Sequence, residues 1–160
     1  MENNNYEPVK KVSIIISKNS LENVYPGLIM ANGALMEGMD AVLFFTFFGT
    51  DVVTKNRMDK LQIKDVNNFM SHMPAPNGPM PENLTQFVTD QIMAQFDSMD
   101  IPPVGEFLEM IHDGGGQIFA CKAMADMFHL TKDDLCDEVD DIISVGKMYE
   151  VSAGAQIIYT

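Results

Sequence analysis

Cys121 closes the apolar run Gln117-Ile118-Phe119-Ala120 and is followed at once by Lys122 and a stretch of helical character to Leu130. An apolar run of this kind, bounded upstream by Gly114-Gly115-Gly116, predicts a buried strand. The thiol then falls at the carboxyl end of a strand and the amino end of a helix. In open α/β sheets that edge is where ligands bind. The positive end of the helix dipole favours thiolate over thiol, and Lys122 adds a cation next door. Thiolate is the nucleophilic form of cysteine, so this position can do sulfur chemistry. A free cysteine is also commonly a small buried hydrophobe, and position alone leaves both readings open.

Cys136 supplies the contrast. It lies between Asp133, Asp134, Asp137 and Glu138, and nearby carboxylates disfavour a thiolate. It is therefore expected to be the poorer nucleophile. A disulfide between the two would need α-carbons within about 7 Å, a separation that primary structure does not define.

Two further segments should reach the same edge as Cys121. The run Phe44-Phe45-Thr46-Phe47-Phe48-Gly49 ends an apolar strand. Phe44 to Phe47 read mainly as core, whereas the Thr46 hydroxyl and the Gly49 backbone are less easily explained by packing. Glycine there allows backbone N–H groups to approach an anion. Lys18-Asn19-Ser20 follows the first strand and offers N–H donors at a helix start. Neither segment is a Gly-x-Gly-x-x-Gly or Walker loop, so a nucleotide site has no motif support. Met70, Met73, Met80, Met93 and Met99 raise the question of cuprous ion, but 14 methionines spread along the chain read as core filler. His72, His112 and His129 are too scattered for a ligand motif. No metal and no cofactor are expected.

The elements that must position these residues follow from periodicity. Strands are expected at Val12–Ser17, Ala41–Phe47, Gln117–Ala120, Asp137–Ile143 and Ala155–Tyr159. Helices are expected at Leu21–Met39, Leu84–Met99, Val104–His112, Lys122–Leu130 and Val145–Ser152. Ser20 should cap the first helix, Pro26 should sit in its first turn, and Gly27 and Gly33 should permit close packing. Asp51–Lys60 reads as a short helix or turn, and Met70–Pro81 as a loop rich in methionine, proline and glycine, its methionines exposed. Alternation of this kind predicts an α/β fold: a three-layer α/β/α sandwich with a five-stranded, mainly parallel sheet. Residues 1–10 read as a flexible tail and 11–160 as a single domain.

Composition narrows the function. Ten basic against 23 acidic residues give a formal net charge of −13. Such a surface repels phosphate backbones and anionic bilayers, so neither nucleic-acid binding nor membrane insertion is expected. The acidity can serve solubility or the docking of a basic protein. No stretch approaches the ~20 apolar residues of a membrane helix, and two cysteines make no disulfide framework. A cytoplasmic location with reduced thiols is expected.

Phe44-Phe45-Thr46-Phe47-Phe48-Gly49 resembles the Phe-Phe-Thr-Phe-Trp-Gly signature of the DsrE/DsrF/DrsH-like sulfur-relay superfamily, with Phe48 in place of the tryptophan. Ile118 to Met127, with Ala120-Cys121 at its centre, is similar to the Ala-Cys-x-x-Ser-Met-Asp-Met-Met segment of the DsrE2/DsrE3-like branch. Lys132-Asp133-Asp134-Leu135 and the closing helix and strand also match, so the resemblance spans Lys11 to Thr160. It implies a single DsrE-like α/β/α domain that forms homo-oligomers. It also implies that Cys121 carries sulfane sulfur, as persulfide or thiosulfonate, from a persulfide or thiosulfate donor to a small sulfur-carrier protein of the TusA type. The family's second cysteine need not lie at Cys136. Asn19, Ser20, Thr46, Phe48, Gly49, Lys122 and Met124 are the expected substrate-side residues. The activity expected is that of a sulfurtransferase or sulfur carrier. The alternatives are a non-enzymatic binding subunit of a sulfur-relay complex and a thiol peroxidase. The branch often bears a peroxiredoxin label, yet the chain has no Thr-x-x-Cys motif.

Overall fold

The computed structural model describes residues 7–160, so most of the expected tail, residues 1–6, lies outside the described residues. Five strands, β1 (Lys11–Ile16), β2 (Asp40–Phe45), β3 (Gln117–Cys121), β4 (Asp141–Ile143) and β5 (Gln156–Tyr159), form one sheet in the order β4-β3-β2-β1-β5. Every pairing is parallel, with Ile16 opposite Phe45, Phe45 opposite Ala120 and Cys121 opposite Ile143. Parallel strands must be joined by crossovers, which cover both faces with helices.

The period of two decides which side chain goes where. Ile14, Ile16, Leu43, Phe45, Ile118 and Ala120 face one side and pack with α1 (Leu21–Met36), α3 (Leu84–Ser98) and α4 (Val104–Asp113). The short α2 (Val66–His72) docks on α3. Val42, Phe44, Phe119 and Cys121 face the other side. That smaller cluster is completed by Met124 from α5 (Lys122–Phe128) and Met148 from α6 (Val145–Val151). Each large apolar side chain so buried contributes on the order of 1.5–3 kcal/mol. The expected three-layer α/β/α sandwich is what the chain adopts, with one thick and one thin helical layer.

Several local expectations need correction. Pro26 lies in the second turn of α1, not the first. There its missing N–H leaves the Glu22 carbonyl without its usual donor, while the Glu22 carboxylate accepts from the backbone N–H groups of Lys64 and Asp65. Gly27 does permit close approach, since a Cβ would stand 2.9 Å from Ile16, but Gly33 has open space around it. The segment 70–81 is only partly a loop. Its start belongs to α2, where the Asp65 side chain accepts the Asn68 N–H as a cap. Met70 and Met73 pack against the main core, leaving Met80 exposed. The second strand stops at Phe45, because Phe47 turns into a left-handed conformation (φ 51°) and opens a 3-10 segment, Phe47–Val53.

Candidate functional site

Cys121 is both the last residue of β3 and the N-cap of α5. Its side chain is only 3% exposed and belongs to the thin-layer cluster of Phe44, Phe119, Met124 and Ile143. The neighbouring strand end supplies the rim. Thr46 N–H donates to the Ile16 carbonyl (3.0 Å), and Gly49 N–H donates back to the Thr46 carbonyl (2.9 Å). A Cβ on Gly49 would stand 2.0 Å from the Ile16 carbonyl oxygen, so only glycine fits that crossing. Its N–H is thus engaged within the chain, and its role is close approach rather than anion donation.

The crossing throws Phe47 and Phe48 outward. Each is 53% exposed, and their rings meet edge to face at 5.4 Å. The 3-10 segment that bears them packs against both β3 and α5, the two elements that meet at Cys121. A bulky residue held at positive φ is strained, and such strain gathers at functional sites. Lys122, immediately after the thiol, turns its ammonium along the helix to Asp126 (3.1 Å). Its charge is therefore shared with a carboxylate rather than aimed solely at the helix start.

The other two expected pocket residues sit elsewhere on the edge. Ser20 caps α1 by backbone position alone, and its hydroxyl accepts from the Asn23 side chain (2.6 Å). Asn19 donates to Asp51 (2.7 Å) and accepts from the Lys64 ammonium. It lines a separate cavity of about 400 Å³ with Asp51, Asn56, Arg57, Lys60, Leu61, Gln62 and Lys64, which Cys121 does not line. The structure thus gathers Thr46, Phe48, Gly49, Lys122 and Met124 on the elements around Cys121 and sets Asn19 and Ser20 on the α1 side. Sequence reasoning missed the basic lining. The signal was present: four of the ten basic residues, Lys55, Arg57, Lys60 and Lys64, fall within ten positions.

Cys136 occupies the opposite environment. It packs in the main core with its N–H donating to the Val53 carbonyl (2.8 Å). Burial, then the hydrogen bond and charge of Glu138, push its thiol up to about 12. The four-carboxylate reading of its surroundings therefore needs correcting. Asp137 pairs with Lys55 (3.1 Å) and Asp134 closes a capping box with Thr131, leaving Glu138 as the acidic neighbour that acts. Both cysteines are free thiols, in two different core clusters. Among the described residues no group of three His, Cys, Asp or Glu could hold a metal ion, and no helix is long and apolar enough to cross a membrane.

The sequence profile of the DsrE/DsrF/DrsH-like family matches residues 8–157. The chain belongs to that family. This DsrE-like chain is 25% identical over 145 residues to the sulfur carrier protein DsrE2 of Allochromatium vinosum, an alignment covering 82% of this chain and 86% of that one. It is 20% identical over 142 residues to the uncharacterized protein YrkE of Bacillus subtilis, covering 84% and 86%. Among solved structures, the protein of unknown function MTH1491 from Methanobacterium thermoautotrophicum superposes with a TM-score of 0.55 at 12% identity. That alignment covers 94% of this chain and 98% of the other, and it supports the α/β fold.

Proposed function

We propose that this protein carries sulfane sulfur on Cys121 and passes it to a partner protein. The observation that carries the reading is the position of Cys121 at the joint of β3 and α5, under a strained aromatic rim. Loading is redox-neutral. The Cys121 thiolate attacks the outer sulfur of thiosulfate, the S–S bond breaks, and sulfite leaves with the electron pair. A donor persulfide would react in the same way and release a thiolate. Tetrathionate would give the thiosulfonate form and release thiosulfate. Discharge is the reverse displacement: a partner thiolate takes the terminal sulfur and restores the Cys121 thiolate. Thr46, Phe48, Gly49, Lys122 and Met124 shape the mouth through which donor and acceptor reach the thiol.

The same reading includes a cytoplasmic setting, a small TusA-like carrier as acceptor, and a homo-oligomer. Met127, Val145, Tyr149, Ile157 and Tyr159 are exposed on α5, α6 and β5. Exposed apolar side chains on these elements suit a subunit interface, as do Ile29, Met30 and Met36 on α1, which are exposed as well. Intact-mass spectrometry after treatment with thiosulfate, tetrathionate and polysulfide tests the carrier chemistry. An adduct confined to Cys121 and discharged by a small carrier thiol is expected. A folded protein that acquires no adduct from any of the three would overturn it. Stable loading without discharge would favour a binding subunit of a relay complex.

A further inference from the structure

The cavity on the α1 side is electrostatically out of keeping with the rest of the chain. In a protein of net charge −13, Arg57, Lys60 and Lys64 line one concavity whose only carboxylate is Asp51. Both oxygens of that carboxylate are already taken, one by the Arg57 guanidinium (2.8 Å) and the other by the Asn19 amide (2.7 Å). Among the described residues, Lys60 and Lys64 make no ion pair. The Lys64 ammonium is instead held by the neutral Asn19 oxygen, which fixes its place without cancelling its charge. Three exposed cations against one engaged carboxylate leave positive charge unpaired around a solvent-open concavity, the nearby Glu22 carboxylate being turned to the backbone N–H groups of Lys64 and Asp65. Folding alone gives no reason to collect like charges there, because their mutual repulsion is unfavourable.

We propose that this cavity binds the doubly negative tetrahedral head, phosphate or sulfur oxyanion, of a small molecule. Lys60 and Lys64 are the contacting cations, and the free edge of the Arg57 guanidinium is a third donor. A volume of about 400 Å³ exceeds what a lone oxyanion fills, and Lys60, Leu61 and Gln62 also wall an adjoining groove of about 570 Å³ lined by Met58 and Met93 together with the carboxylates of Asp59 and Asp90, which keep the anionic head on the Lys64 side. The head therefore has room for an organic body laid along Leu61. The site is separate from Cys121 but not remote from its rim, since Asp51 and Gly49 lie two positions apart on one 3-10 segment, at most about 7 Å of chain.

The test uses the Cys121→Ser protein, so that covalent loading cannot be confused with binding and failure of one proposal leaves the other intact. Thermal shift and calorimetric titration are run with inorganic phosphate, sulfate and thiosulfate, against chloride at equal ionic strength. Saturable binding absent with chloride is expected, weakened about tenfold or more by Lys60→Gln combined with Lys64→Gln. Preference for thiosulfate would assign a sulfur oxyanion, and equal or better phosphate binding would assign a phosphate head. Affinities matching chloride, or unchanged in the folded double variant, would overturn the site.

Discussion

The two thiols of this chain have the same covalent chemistry and opposite physical settings. Cys121 stands where a strand hands over to a helix, in the thin-layer cluster and beside a rim of exposed aromatics. Cys136 stands in the main core, with Glu138 as its polar neighbour and its proton held to about 12. Both are buried, at 3% and 5% exposure, so burial does not separate them. What separates them is which core cluster each packs in and what charge lies close by.

The sharpest way to break the comparison is to remove each thiol in turn. Cys121→Ser is expected to abolish sulfur loading while leaving the circular dichroism spectrum unchanged, and Cys136→Ser to retain full loading. Adduct formation by folded Cys121→Ser protein would reverse the assignment. The next effect is kinetic. A thiol that titrates near 12 is thiolate in only about one molecule in ten thousand at pH 8. Site-resolved alkylation should therefore label Cys121 far faster than Cys136, with Cys136 labelling rising with pH and on unfolding. Faster labelling of Cys136 in the native protein at neutral pH would contradict its buried setting.

The same proton linkage appears in stability. An ordinary cysteine releases its proton near 9.0, so the unfolded chain ionises first and the folded chain holds its proton to about 12. Stability is fully present below pH 9 and is lost as pH rises from 9 toward 12. Tyr25, which burial pushes from 10.0 to about 12, adds a loss that begins one unit higher. Together these amount to a few kcal/mol at the alkaline end. Denaturant melts across pH should show Cys136→Ala delaying the onset, and Tyr25→Phe leaving the onset near 9 but reducing the slope above 10. An unchanged profile in both variants would show that neither proton is held.

Much of the contrast was legible in the chain. Continuous apolar runs placed β2 and β3, the strand–helix junction placed Cys121, and of the four local carboxylates that singled out Cys136, Glu138 is the one that acts. The errors have physical causes. Carboxylates adjacent in sequence spread over a turn, so Asp137 reaches Lys55 and Asp134 reaches Thr131 while Glu138 stays with the thiol. Helix α2 was hidden because its Met70, like Met73 just beyond it, resembles the loop that follows, although both pack on the core. Asn19 lies on the expected edge, but an edge has two sides. Its partners Asp51 and Lys64 lie 32 and 45 positions away, beyond what local pattern can resolve.

The smallest expected effect concerns Lys122, which adjacency alone would make the chief activator of Cys121. Its ammonium is bonded to both Asp126 oxygens, at 3.1 and 3.2 Å, on an exposed helix face. Exposed pairs of this spacing are weak and screened by salt. Lys122→Gln should therefore slow alkylation of Cys121 by no more than about threefold at low ionic strength, and hardly at all at high salt. Asp126→Asn, which frees the ammonium, should accelerate it by a similar small factor, again only at low salt. If Lys122→Gln instead costs tenfold or more and salt does not narrow the gap, the lysine acts at the thiol itself. The difference between Cys121 and Cys136 would then rest on a local cation more than on the architecture of the sheet edge.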